Sequence, residues 1–132
     1  MASRQLALLV LDETFAVSRL SGDAPVPTWA NAGSFFSVTR TAEELSIVCR
    51  QDVVPESVPC ERGWRCLRVV GTLPFSAVGV LAALATPLAA AGVSVFAVST
   101  FDTDYLLVKE NDLAAAADAL QRQGHTVQSR SG

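Results

Sequence analysis

Short apolar runs separated by polar and turn-forming residues fill the first half of the chain; the second half is dominated by one long uncharged stretch. Leu6 to Leu11, Phe15 to Leu20, Ser34 to Arg40 and Leu45 to Arg50 have strand composition. Between them, Gly22 to Gly33 carries Pro25, Pro27 and Trp29 and predicts a loop or one helical turn. Asp52 to Gly63, with Pro55 and Pro59, predicts a linker.

Arg65 to Val70 predicts a strand ended by Gly71, and Leu73-Pro-Phe-Ser a turn with Ser76 as helix N-cap. Ala77 to Ala91 is helical by composition; Pro87 removes the amide that would bond Ala83 and predicts a kink or split. Gly92 is a stop signal. Val93 to Ser99 and Tyr105 to Lys109 predict a hairpin, and Asn111 or Asp112 a second cap. Leu113, Ala116, Ala117 and Leu120 then share a helix face that ends at Gly124. His125 to Ser129 closes the chain as a strand, with His125 expected at its solvated start.

The order β-α-β-β-α-β is the split βαβ, ferredoxin-like arrangement. An ungapped shift of sixty residues lays Phe36 to Val48 on Phe96 to Val108 and Glu44 on Asp104. The expected fold class is α+β, with two copies of one motif, residues 1–60 and 61–132, the first helix-poor and the second complete.

Half of the residues are apolar and 17% are charged, enough for a substantial core and against disorder. With a net charge of −3 and scattered arginines there is no basic groove, so no nucleic-acid partner is expected. No charge occurs between Val69 and Phe101, and Ala77 to Val98 has the length of a membrane span. Pro87, Gly92 and Ser94 interrupt it, and no aromatic belt or flanking basic group marks a membrane face. A buried helix followed by a buried strand is expected, with no membrane partner. Cys49, Cys60 and Cys66 form no even disulfide framework and no C-x-x-C pair. The chain enters its first strand almost at once, and a reducing cytoplasm is the simplest location.

Catalytic signals are weak. His125 is the single histidine, and no Gly-x-Ser-x-Gly, phosphate-cradling loop or metal-spaced His/Cys set occurs, so neither an enzyme nor a cofactor is expected. The polar turn between the last two hairpin strands is more informative. It gathers Ser99, Thr100, Asp102, Thr103 and Asp104, three hydroxyls and two acids suited to holding a small cationic group. The plain alternative is that Asp102 and Asp104 solvate a hairpin turn that Thr103 caps.

Gly71 to Gly79 (Gly-Thr-Leu-Pro-Phe-Ser-Ala-Val-Gly) and Leu88 to Val108, with its Ser-Thr-x-Asp-Thr-Asp-Tyr string, resemble the ACT domain. The resemblance is to the branch of small tandem-ACT proteins similar to cytosolic arginine sensors and aspartate kinase regulatory domains. It covers roughly Arg65 to Val127; Thr39 to Cys49 and Gly63-Trp64-Arg65 add to it. It implies two ACT-like units and a non-catalytic regulatory protein that binds an amino acid and signals through its association. It also implies backbone amides at Phe75, Ser76 and Ala77 for a ligand carboxylate. Across from them, Ser99, Thr100, Asp102, Thr103 and Asp104 would serve the ammonium or a cationic side chain, as of arginine or lysine. A homodimer is expected. The first unit, lacking a long helix and an amide turn, is expected to supply at most a wall. The rival expectation is a structural module that dimerises, or docks on an enzyme, without a ligand.

Overall fold

The structure is a computed structural model that describes residues 5–71, 73 and 78–129. Its strands are β1 (Ala7–Ser21), β2 (Ser37–Arg40), β3 (Glu44–Arg50), β4 (Cys60–Val69), β5 (Phe96–Ser99), β6 (Asp104–Lys109) and β7 (Thr126–Ser129). The helices are α1 (Val80–Ala90) and α2 (Leu113–Arg122). The chain is mixed α and β and rich in sheet. Two compact units form, Met1–Asp12 with Arg65–Gly132, and Glu13–Trp64. Where the sequence suggests one cut after residue 60, the division falls twice, inside β1 and inside β4. The two strands expected over residues 6–20 are one continuous β1 of 15 residues.

In the unit that holds both helices, the first residues of β1 pair in parallel with β7, Ala7 opposite Thr126 through Val10 opposite Ser129. On its other side β1 meets β4, where Val70 N–H donates to the Ala7 carbonyl at 2.8 Å. β6 follows β4 and β5 forms the edge. The core joins Leu8, Val10, Leu67, Val69, Leu106 and Val108 of the strands to both helices. α1 contributes Val80, Leu84 and Leu88 at a spacing of four, which keeps them on one face. α2 contributes Ala116 and Leu120. Fully burying each Leu is worth about 1.5–3 kcal/mol.

Two expectations about α1 are corrected. Gly79, with φ +80°, holds the N-cap position assigned to Ser76, and the helix begins three residues later than Ala77. Pro87 does not divide it. Lying in the last turn it removes only one amide, and Ala91 N–H still reaches the Pro87 carbonyl at 3.1 Å. Gly92, at φ +76°, lets Val93 N–H return to the Leu88 carbonyl at 2.9 Å and stop the helix. Among the described residues no helix is long and apolar enough to cross a membrane.

His125 is also not where the sequence suggests. It is 4% exposed, and its Nδ1 accepts the Leu6 amide at 3.0 Å. The Leu6 amide, half-buried just ahead of β1, needs an acceptor, and the ring supplies it.

In the Glu13–Trp64 unit, β1 pairs antiparallel with β3, Phe15 opposite Arg50 through Ser21 opposite Glu44. β3 pairs with β2, and Arg19 N–H donates to the Pro59 carbonyl at 3.0 Å beside the start of β4. No α-helix occurs among its described residues; single 3-10 turns span Thr28–Ala30 and Gln51–Val53. Ala16, Ala30, Leu45, Ile47, Cys49 and Val54 form its core. Phe15 and Phe35 meet edge to face with centroids 5.7 Å apart.

Candidate functional site

The β5–β6 turn is built by two threonines. Thr100 donates through both N–H (2.8 Å) and Oγ1 (3.0 Å) to the Thr103 carbonyl, and its Oγ1 accepts Thr103 N–H at 3.2 Å. Thr103 is buried, and its own hydroxyl donates to the Val69 carbonyl at 2.9 Å. The neighbouring Asp102 carbonyl accepts Leu73 N–H at 2.7 Å. The acidic turn is thus fastened both to the end of β4 and to the segment that follows it. The acidic turn and the segment that follows β4 are the two pieces of chain expected to flank a ligand.

Of the expected site residues, Phe75, Ser76 and Ala77 lie outside the described residues. Thr100 and Thr103 spend their hydroxyls on the turn itself. Ser99 and Asp102 are exposed and Asp104 is half-buried. Among the described residues the side chains of these last three form no hydrogen bond or ion pair. Ser99 and Asp104 are opposite one another across the hairpin, so their side chains leave the same face a few ångströms apart. That is the face of Leu106 and Val108, which point into the helix-covered core. Asp104 therefore stands at the rim of the core rather than on the outer face. Phe101 at the turn tip is 77% exposed and Val78 is 92% exposed, two apolar side chains that strand and helix patterning gave no reason to single out.

The β2–β3 hairpin repeats this turn. Thr41 N–H donates to the Glu44 carbonyl at 2.8 Å, and Thr41 Oγ1 accepts Glu44 N–H at 3.1 Å. Ser37 pairs with Val48 as Phe96 pairs with Leu107, which sets the two hairpins 59 residues apart. The shift of sixty expected from the sequence is corrected by one residue. In a strand that slip turns every side chain to the other face. Glu44 corresponds to Thr103, and Asp104 corresponds to Leu45, which is fully buried in the other hairpin. A carboxylate occupies a place that the same architecture elsewhere gives to a core leucine.

The β2–β3 corner is neutralised from within. Arg19 donates to the Glu43 carbonyl at 3.0 Å and pairs with Glu44 at 3.3 Å. Arg40 donates to the carbonyls of Gly22 and, at 2.7 Å, Ala24. Elsewhere in the same unit, Asp52 is held below the usual carboxylate range by its paired hydrogen bonds from Arg50. Burial pushes the Cys49 thiol up to about 11, with smaller contributions from Cys60 and Asp52. Among the described residues no group of three His, Cys, Asp or Glu is placed to hold a metal ion.

Comparison with known proteins agrees with this architecture. A model of the ACT domain matches residues 60–122, and a second family model, for an N-terminal domain, matches residues 13–57. The solved structure of Atu0741 from Agrobacterium tumefaciens is 39% identical, with a TM-score of 0.92 over 97% of this chain and 96% of that one. Residues 60–122 are an ACT domain. The chain is 43% identical over 61 residues to the rat cytosolic arginine sensor for mTORC1 subunit 1. The matched segment is 46% of this ACT-domain chain and only 18% of that sensor. The regulatory subunit of aspartate kinase from Thermus thermophilus has the same fold at 14% identity, with a TM-score of 0.63 over 93% of this chain and 99% of that one.

Proposed function

We infer that this ACT-domain protein is a non-catalytic, amino-acid-responsive regulatory module of the cytoplasm, built from two ferredoxin-like ACT units. Asp104 carries the reading. A half-buried acid without a partner among the described residues, in the register position of a core leucine, is costly to keep unless something cationic completes it. The duplicated turn and the 3-10 turns at Gln51–Val53 and Glu110–Asp112, again 59 residues apart, support two related units. The arginine sensor's name and the aspartate kinase regulatory fold support an amino acid as the ligand.

In this reading Asp104, with Ser99 and Asp102, receives the ligand's cationic group, arginine or lysine fitting two acids best. The segment that includes Phe75, Ser76 and Ala77 receives its carboxylate. Thr100 and Thr103 hold the acids in place. Binding is read out by a homodimer, whose contact the exposed Phe101 and Val78 favour. The same two exposed side chains favour the second reading, a docking module without a ligand. Thermal melts against each of the twenty amino acids separate the two. A selective upward shift that Asp104→Asn abolishes, with little change in the unliganded melting point, supports the sensor. A flat response to all twenty supports docking alone.

A further inference from the structure

The β2–β3 and β5–β6 corners share a turn but not a charge arrangement. Arg40 pairs with Leu45 as Ser99 pairs with Asp104, so Arg40 is the counterpart of Ser99. Its guanidinium crosses a surface groove lined by Gly22, Asp23, Thr41, Ala42 and Glu43, and ends on the Gly22 and Ala24 carbonyls. Asp23 adds a carboxylate on that side, held below its usual range by the Ser21 hydroxyl first and by Arg40 in addition. The groove depends on a close approach. A Cβ on Gly22 would lie 2.5 Å from the Ala42 carbonyl oxygen, so the loop can approach the turn only with glycine at that position.

We propose that the β2–β3 corner is a guanidinium site already occupied by the chain's own Arg40, and that truncating this side chain opens it to a small guanidinium compound from solution. A planar fork donating through its two terminal nitrogens to two carbonyls beside a carboxylate is guanidinium chemistry; an ammonium would have to reach both acceptors from a single nitrogen. The chain then holds one corner closed from within and one, at Ser99 and Asp104, without an internal cation among the described residues.

The test uses the full chain carrying Asp104→Asn, with and without Arg40→Ser, so that its result does not depend on ligand binding at the other corner. Arg40→Ser is expected to lower the melting temperature. Methylguanidinium at low millimolar concentration is expected to recover part of the loss saturably, methylammonium less, and the Arg40-containing parent is expected not to respond. An equal response of both proteins, or recovery by both compounds alike, overturns the proposal. NMR of the Arg40 guanidinium in the unaltered protein decides it independently of how well the variant folds. Slowed N–H exchange and restricted rotation relative to free arginine are expected, and free-arginine behaviour overturns the proposal as well.

Discussion

The hydroxyl of Thr103 donates to the main-chain carbonyl of Val69 at 2.9 Å, in a buried position, across 34 residues of sequence. One side chain thereby fixes the acidic turn against β4, and Asp102 and Asp104 on either side of it inherit that placement. Thr103→Val keeps the shape and deletes the donor, leaving the Val69 carbonyl without it. We expect urea denaturation to show a loss of about 1–2 kcal/mol, with Thr103→Ser retaining most of the stability. Equal stability of the valine variant would show that the bond contributes nothing net.

His125 makes the equivalent fastening at the start of β1. Its Nδ1 accepts the Leu6 amide at 3.0 Å from a nearly fully buried ring. His125→Leu fills similar space and cannot accept, so the cost is expected at about 1–3 kcal/mol. His125→Asn, whose carbonyl oxygen can sit near the Nδ1 place, is expected to recover part of it. Hydrogen exchange of the Leu6 amide reads the bond directly: faster in the leucine variant, slower again in the asparagine one.

Much of this was legible in the sequence, and the failures share a cause. Composition and turn residues locate α2, β3, β6 and the Ser99–Asp104 turn because each is decided within a few residues. The continuous β1 is not legible, because Asp12, Glu13 and Thr14 look like a break, whereas the strand runs on through them from its pairing with β7 at Ala7–Val10 to its pairing with β3 from Phe15 onward. The same limit applies to His125, whose hydrogen-bond partner Leu6 is 119 residues away. The shift of sixty went astray because apolar strands match each other in any register. The strand registers and the threonine bonds, Thr41 to Glu44 and Thr100 to Thr103, fix it at 59. Those two threonines were the available signal: a hydroxyl three residues before the turn's closing residue in both hairpins.

Cys49 ties the stability of its unit to alkaline pH. Its thiol is fully buried and pushed up from 9.0 to about 11, mainly by desolvation. A group whose pKa is raised by folding stabilises fully below its unfolded value and loses that contribution as pH climbs through the folded one. Stability from this group is therefore flat up to about pH 9 and falls between pH 9 and 11. The expected fall is roughly 1–3 kcal/mol. Cys49→Ala should lose less over that interval, the remaining titrations being common to both proteins. Parallel curves for the two would show that the thiolate is tolerated in place.

Ser18 is the opposite case, a polar atom the fold has no evident use for. It lies opposite Ile47, in line with Ala16 and Leu20, on the face that forms the core of the Glu13–Trp64 unit. It is 1% exposed, and its hydroxyl has no hydrogen-bond partner among the described residues. Burying a hydroxyl without a partner costs about 1–3 kcal/mol on protein mutational scales, and removing one oxygen opens little space. Ser18→Ala is therefore expected to raise stability by about 1 kcal/mol in urea titration, with an unchanged m-value. The thermal response proposed for the β5–β6 corner, which is fastened through Thr103 and Leu73, is expected to be the same in this variant. A destabilised alanine variant would mean instead that the hydroxyl is bonded in solution, to an internal water shared with the surrounding strands, and that this unit's core is organised around that water.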